Sequence, residues 1–299
     1  MNEKHPEPNV VTVIRARADS NFLAHTPRFP DRMELIMRMT VLAVLIALAL
    51  PSALLAKSPV SGLPPAVSTN AIPAYVSAAI HDPARQTDAS NDARRKIADV
   101  MAFAQVKPGQ VVLELIPGSG YWTRVFSAIV GPKGYVVVVW PNEYAKESAS
   151  DAAGSRTLAA QVHYSNLIVL MQPAAHLSAP QPVDLVFTSQ NYHDYPDAFM
   201  GKVDPAVLNK QVFDALRPGG AYVIIDHVAD AGSGMRDTDT LHRIDPAIVK
   251  KQVEAAGFVL DGESDVLRNP LDSHTVKVFD KSIRGHTDQF IYRFRKPVH

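Results

Sequence analysis

The chain has 299 residues, of which 46% are hydrophobic, so it can form one large or two small globular domains around a buried core. Its 30 basic residues (lysine and arginine) equal its 30 acidic residues, which excludes a global electrostatic field that would attract nucleic acid or an acidic partner. It has no cysteine, which excludes disulfide bonds, thiolate metal sites and a cysteine nucleophile.

Near the N-terminus, residues 40–56 read TVLAVLIALALPSALLA and form the one strongly apolar run. This run is shorter than the roughly 20 residues of a spanning helix, and it ends in small residues, as signal peptides do. We therefore predict a signal peptide over 33–56, cleavage after Ala56, and a periplasmic or secreted protein without membrane contact; an uncleaved anchor is the alternative. Residues 1–32 are too long and polar for a signal n-region, so we expect them to precede the true start.

Residues 57–73 are rich in proline, serine and glycine and predict a linker, which leaves 74–299 as one domain. In chain order the patterns predict a helix at 73–80, a helix at 91–105, a strand from Val111, a helix at 120–130, a strand at 135–140, a helix at 143–161, strands at 167–171 and 183–189, a helix at 204–216, a strand at 221–226, a helix at 246–256, and strands at 258–265 and 289–295. This alternation predicts an α/β fold: a doubly wound, mainly parallel, seven-stranded sheet whose last strand is antiparallel.

The segment 111–126, VVLELIPGSGYWTRVF, combines an apolar strand, a glycine-containing turn and the start of a helix. In a parallel sheet this arrangement often holds a nucleotide-like ligand, and the glycines let the backbone turn sharply close to it. The residues predicted to bind the ligand here are Glu114, Pro117, Gly118, Ser119 and Gly120.

With the later segments DLVF and LRPGGAYVI, this order of elements resembles the class I S-adenosylmethionine-dependent methyltransferases, which have a Rossmann-like fold. The chain is most similar to a group of exported bacterial proteins of that class that share PGSGYxTRxFS, TSQNYHD, DHxAxxGSGxRDTxTLHRIDP and ESDVLRNPxDxH. The resemblance covers about residues 74–297 and implies S-adenosylmethionine as the cofactor.

The chain departs from the family pattern at three places. Ile116 replaces the first glycine of the loop, and Pro173 stands where an acid usually contacts the adenine. An acid for the ribose hydroxyls is expected at the end of the second strand, where the chain has Trp140 followed by Asn142 and Glu143. The resemblance implies that Trp140, Asn142 and Glu143 bind the cofactor and that Trp140 stacks on its base.

Polar pairs follow the fourth and fifth predicted strands, His193 with Asp194 and Asp226 with His227. Ligands of doubly wound sheets lie at these carboxyl ends, so we predict that either histidine is a general base and that an aspartate orients it.

Candidate substrate contacts are Tyr192, His242 and Arg243. The long segment 266–288 between the last two strands is expected to close over the same cleft.

Other types of site agree less well with the sequence. A metal ion could be held by histidines and aspartates at these strand ends, but neighbouring residues of a strand face opposite sides, so we predict none. A nicotinamide dehydrogenase is not favoured, since the third glycine is missing and the only Tyr-x-x-x-Lys lies in the final strand. A serine hydrolase would need a Gly-x-Ser-x-Gly elbow, which the loop does not supply.

The sequence thus predicts an exported S-adenosylmethionine-dependent methyltransferase acting on an unknown small molecule. The alternative is an exported ligand-binding protein that keeps the fold without catalysis. No nucleic-acid partner is expected, and the oligomeric state is left open.

Overall fold

The computed structural model describes residues 72–298. Their α-helices are α1 (Ala74–Ile80), α2 (Asp92–Arg95), α3 (Ile97–Ala104), α4 (Tyr121–Val130), α5 (Asn142–Glu147), α6 (Ala149–Ala159), α7 (Pro205–Ala215), α8 (Thr238–Leu241) and α9 (Pro246–Ala255). Their strands are β1 (Val111–Leu115), β2 (Tyr135–Pro141), β3 (Leu167–Gln172), β4 (Val183–Ser189), β5 (Leu216–His227), β6 (Val259–Ser264) and β7 (Gln289–Arg295).

The strands form one seven-stranded sheet in the order β3-β2-β1-β4-β5-β7-β6. Strands β1 to β5 pair in parallel, whereas β7 lies antiparallel between β5 and β6. This confirms the predicted α/β class, the number of strands and the antiparallel last strand.

The centre of the sheet is buried on both faces. In β1, four successive residues from Val112 to Leu115 are buried, although neighbouring side chains point to opposite faces. The same holds for six residues of β2 and six of β4. Helices therefore cover both faces, which explains why these strands consist mainly of valine, leucine and aromatic residues and show no regular polar alternation.

The order in which the chain adds strands to the sheet reverses at β1. The chain adds β2 and β3 on one side of β1 and then returns to add β4 and β5 on the other. The loops that leave β1 and β4 thus diverge and open a crevice between the carboxyl ends of the two strands, the usual ligand position in doubly wound folds.

Two predicted helices are interrupted. The helix predicted over 91–105 divides at Lys96, whose φ of 49° is left-handed and ends the regular hydrogen bonding. The helix predicted over 143–161 divides at Ser148, whose φ of −121° and ψ of 46° are not helical. Strand β5 also begins earlier than predicted, because Leu216 already pairs with Val183 before an irregularity in the ladder.

The predicted segments 1–32 and 33–56 and almost all of the linker 57–73 lie outside the described residues. Within 72–298, none of the helices is both long and apolar enough to cross a membrane.

The long segment 266–288 is fastened to the body of the domain by a buried ion pair. Asp272 receives two hydrogen bonds from the guanidinium of Arg243, at 2.8 and 3.0 Å, and both side chains are fully buried. Within the segment, the buried Asp288 pairs with the half-exposed Arg268 at 2.8 Å. The Arg243–Asp272 pair thus holds the segment at the carboxyl edge of the sheet.

Candidate functional site

The loop between β1 and α4 has left-handed backbone at several positions. Gly118 has a φ of 56° and Gly120 one of 82°, which glycine adopts readily. Ile116 has a φ of 51°, a conformation that is a true outlier for a β-branched residue. A Cβ added to Gly118 would meet no atom within 4 Å, whereas one added to Gly120 would contact Leu158 at 3.4 Å. Gly118 therefore faces open space.

That space is a cavity of about 590 Å³ at the carboxyl edge of β1 and β4. One end is formed by the loop after β1, with Glu114 and 116–119, and the other by polar residues that follow β4 and β5. Its volume is within the range of small-molecule sites. The structure thus brings two predicted groups, the glycine loop and the histidines, to one cavity.

Glu114 is a buried acid at the wall of this cavity. Its carboxylate accepts a hydrogen bond of 2.6 Å from the Thr123 hydroxyl of α4. Burial raises the pKa of Glu114 to about 8, although Thr123 and two arginines nearby oppose the shift. The side chain is therefore largely protonated at neutral pH.

The residues predicted to contact the cofactor from β2 are not brought to the cavity. Trp140 is fully buried and donates its indole N–H to Ser155 at 3.0 Å. Glu143 instead accepts a hydrogen bond from the backbone of Ala174 at 2.9 Å. Two acids that follow Glu143 in the helices after β2, Glu147 and Asp151, do line the cavity. Cofactor binding by Trp140, Asn142, Glu143 and Gly120 stays a prediction that this geometry does not support.

His193 is held between two carboxylates. Its Nδ1 lies 2.7 Å from Asp226 and its Nε2 lies 3.2 Å from Asp194, while its backbone N–H donates to Asp226 at 2.9 Å. Burial alone would lower the pKa of His193, but the two carboxylates outweigh burial and raise its pKa well above the usual value. Asp226 does not line the cavity and acts through His193.

The premise that His193 and Asp194 face opposite sides is wrong. Residues Tyr192–Asp194 form a turn of 3-10 helix after β4 and not an extended strand. In such a turn successive side chains are rotated by about a third of a circle, so both side chains line the cavity. His242, which follows α8, joins them with its Nδ1 at 3.3 Å from Nε2 of His193.

His227 lines the cavity beside this group. Its Nδ1 is hydrogen-bonded to the Thr287 hydroxyl at 2.7 Å. Within residues 72–298, its Nε2 has no hydrogen-bond partner. Burial lowers the pKa of His227 well below the usual value, and the positive charges of His193 and Arg243 lower it further, so this imidazole is neutral.

Two predicted substrate contacts are occupied elsewhere. The buried Tyr192 hydroxyl is hydrogen-bonded to Asn209 at 2.8 Å and Gln252 at 3.1 Å. The guanidinium of Arg243 donates hydrogen bonds to Asp272 and to neighbouring backbone carbonyls. Neither side chain lines the cavity, because both are buried behind it.

Several residues that line the cavity were not predicted individually from the sequence. Arg95 of α2 lies with its guanidinium 4.5 Å from the ring of Tyr121, and its Nε is buried without a hydrogen-bond partner in the described part of the chain. Lys277, Val278 and Phe279 of the long segment also line the cavity, in agreement with its expected approach to the cleft. No local motif marks these residues, since folding alone brings them there.

Comparisons with known proteins bear on this site. The family described as protein-L-isoaspartate(D-aspartate) O-methyltransferase matches residues 71–259. The ubiquinone/menaquinone biosynthesis C-methyltransferase UbiE of Vibrio cholerae is 25% identical over 188 residues, which cover 61% of this chain and 60% of that protein. The chain thus spans about 60% of the length of the curated relatives it matches.

Solved structures show the same fold. A chain in the complex of the Haloferax volcanii Trm112 methyltransferase activator with a methyltransferase has 14% identity and a TM-score of 0.50, covering 75% of this chain and 98% of that one. The cyclase SpnF has 18% identity and a TM-score of 0.50, covering 69% and 82%. At these identities the likeness concerns the fold and not the chemistry.

The raised pKa of Glu114 predicts a pH-dependent stability. A group whose pKa rises from 4.5 to about 8 on folding stabilises the protein fully below its unfolded pKa, and this contribution is lost as the pH rises through its folded pKa. The melting temperature of the wild type should therefore fall between pH 5 and 9 more steeply than that of Glu114→Gln. Glu254→Gln, at an exposed position of α9, is the control and should keep the wild-type slope. Equal slopes in Glu114→Gln and the wild type would contradict the buried, protonated state.

Proposed function

Starting from the finding that the chain belongs to the protein-L-isoaspartate(D-aspartate) O-methyltransferase family, we propose that it transfers a methyl group to a small molecule bound in the 590 Å³ cavity. Its cofactor is S-adenosylmethionine, which supplies an electrophilic methyl group when bound. The observation that carries the proposal is the continuity of one cavity from the open Gly118 loop to the histidine end. The rival function, binding without catalysis, is not favoured by membership of a methyltransferase family.

The residues at the loop end fit the cofactor. Arg95 offers a buried N–H without a partner among the described residues, which suits the carboxylate of the cofactor's methionine part. The absence of a side chain at Gly118 leaves room for close approach. We assign the ribose hydroxyls to Glu147 and Asp151, since these acids and not Glu143 line the cavity next to β2.

The acceptor fits at the histidine end. His193 is not suited to remove a proton, because both of its ring nitrogens already face carboxylates at 2.7 and 3.2 Å. His227 has one nitrogen held by Thr287 and the other directed to no residue in 72–298, so we assign it as the general base that takes the acceptor's proton. Asp194 and Asp226 position His193, and Asp194 also lines the cavity.

We further propose that the acceptor is a small molecule and not a folded protein. The support for this is that residues 277–279 of the fastened long segment form part of the cavity wall, so the acceptor would have to fit inside a bounded cavity. No nucleic-acid or membrane partner is proposed for the mature protein.

A substitution of Gly118 tests the cofactor site. In Gly118→Val a branched side chain would project into the cavity, so the affinity for S-adenosylmethionine measured by calorimetry should fall at least about tenfold, or 1.4 kcal/mol. Gly109→Val is the matched control: Gly109 also has positive φ and no atom within 4 Å of a Cβ, but it lies outside the cavity. If the two folded variants bind S-adenosylmethionine with equal affinity, the loop after β1 is not part of the cofactor site.

A substitution of His227 tests the chemistry. Acceptors are first sought by screening for release of S-adenosylhomocysteine. With such an acceptor, His227→Gln should lower kcat by about 10²- to 10⁴-fold, the usual contribution of a general base, while the affinity for S-adenosylmethionine changes little. His274→Gln, a histidine of the long segment outside the cavity lining, should keep wild-type turnover. Wild-type kcat in His227→Gln would refute the assignment.

We also propose that the protein is exported, on the strength of the apolar run 40–56 and the small residues that close it. Mass spectrometry of the protein purified from its native host should find a mature chain that begins near Lys57. Peptides from residues 40–56 in soluble protein would count against export.

A further inference from the structure

Three potential metal ligands converge at the histidine end of the cavity. They are Nε2 of His193, Oδ1 of Asp194 and Nδ1 of His242. The distance from Nε2 to Oδ1 is 3.2 Å, the two nitrogens are 3.3 Å apart, and Nδ1 of His242 lies 3.5 Å from Oδ1. The three atoms therefore form a nearly equilateral triangle.

The size of this triangle matches one face of a tetrahedral site. Zinc binds nitrogen and oxygen at about 2.0–2.1 Å, and a tetrahedron with such bonds has edges of about 3.3 Å. An octahedral ion with similar bond lengths would need edges of about 2.9 Å. The distances are also longer than the modal hydrogen bond of about 2.9 Å, so hydrogen bonding alone explains the arrangement less well.

The backbone is shaped to bring the ligands together. The 3-10 turn after β4 turns His193 and Asp194 to the same side. His242 has a φ of 53°, a left-handed conformation that is unfavourable for a residue with a side chain. Strain of this kind persists where the surrounding structure enforces it and is concentrated at functional sites.

The groups behind the triangle are those expected around a metal. A histidine that binds a metal usually donates its other ring N–H to a hydrogen-bond acceptor such as a carboxylate. This bond fixes the orientation of the ring and raises its basicity. His193 has this arrangement, with Nδ1 at 2.7 Å from the fully buried Asp226. The ring of Phe279 lies 4.9 Å from that of His242 and covers it on another side.

From this geometry we propose that His193, Asp194 and His242 bind a divalent zinc-class metal ion, with the fourth coordination position open to the cavity. Two imidazoles and one carboxylate are ligands that favour zinc over magnesium or calcium. His227 is not a ligand, since its Nδ1 is taken by Thr287 and the rings of His193 and His227 are 6.1 Å apart.

The open position suggests what the ion does. A hydroxyl oxygen of the acceptor bound there would lose its proton more readily, because a Lewis acid stabilises the resulting anion. His227 would take that proton, an O–C bond would form between this oxygen and the methyl carbon, and the C–S bond of S-adenosylmethionine would break to release S-adenosylhomocysteine. This role rests on the proposed function, whereas metal binding itself does not.

The test measures metal binding without cofactor or acceptor. The purified protein is stripped with a chelator, dialysed, and titrated with Zn²⁺ by calorimetry and with Co²⁺ by visible absorption. We expect one ion per chain and the intense visible bands of tetrahedral Co²⁺. His242→Ala and Asp194→Asn should each weaken binding by at least about a hundredfold, since losing even a supporting residue behind the ligands costs up to that factor.

The matched control is His163→Ala, because His163 also pairs with an aspartate, Asp82 at 2.8 Å, but is exposed and does not line the cavity. It should bind the ions as the wild type does. His242→Asn is the second variant if His242→Ala does not keep the wild-type circular dichroism spectrum. A folded wild type that binds neither ion, or folded ligand variants with unchanged affinity, would overturn the proposal. A failure to bind S-adenosylmethionine in a separate titration would refute the proposed function alone.

Discussion

The parallel pairing of β1 with both β2 and β4 is the constraint on which the site depends. Because Leu115 at the end of β1 lies beside Val139 of β2 and Thr188 of β4, the three strands end at one edge. Hydrogen bonds then continue past the strand ends, from Ile116 to Val139 at 3.0 Å and from Gln190 to Ile225 at 2.7 Å. The glycine loop and the histidine turn are thus held on opposite sides of a single crevice by main-chain bonding.

Asp226 is the most consequential side chain within this frame. It is fully buried at the end of β5 and accepts hydrogen bonds from the backbone and ring of His193 and from the backbone of His227. Burying a carboxylate costs free energy unless hydrogen bonds compensate for the lost hydration. Here three donors supply those hydrogen bonds. Asp226 thereby joins the loop after β4 to β5 and fixes the orientation of His193, although it does not itself reach the cavity.

The parts of this arrangement that could be predicted from sequence are local. The glycine loop follows from residues 111–126 alone, and the position of His193 and His227 at strand ends follows from the alternation of elements. The predicted cofactor contacts of Trp140, Asn142 and Glu143 are not supported by the geometry, because Trp140 packs inward onto Ser155 and donates its indole N–H to it. The metal triangle was missed because a 3-10 turn cannot be told from an extended strand end in TSQNYHD. His242 was predicted at the site, but its approach to His193 depends on contacts distant in sequence. Arg95 reaches the cavity only through such contacts, which a single sequence does not reveal.

We place the cofactor between the loop after β1 and the helices after β2. Hydrogen exchange measured by mass spectrometry, with and without S-adenosylhomocysteine, distinguishes this position from others. We expect slower amide exchange in peptides covering 115–120 and 142–151, with the surface of α9 unchanged. Exchange that does not change in these two segments at saturating ligand, or protection confined to other parts of the domain, would contradict it.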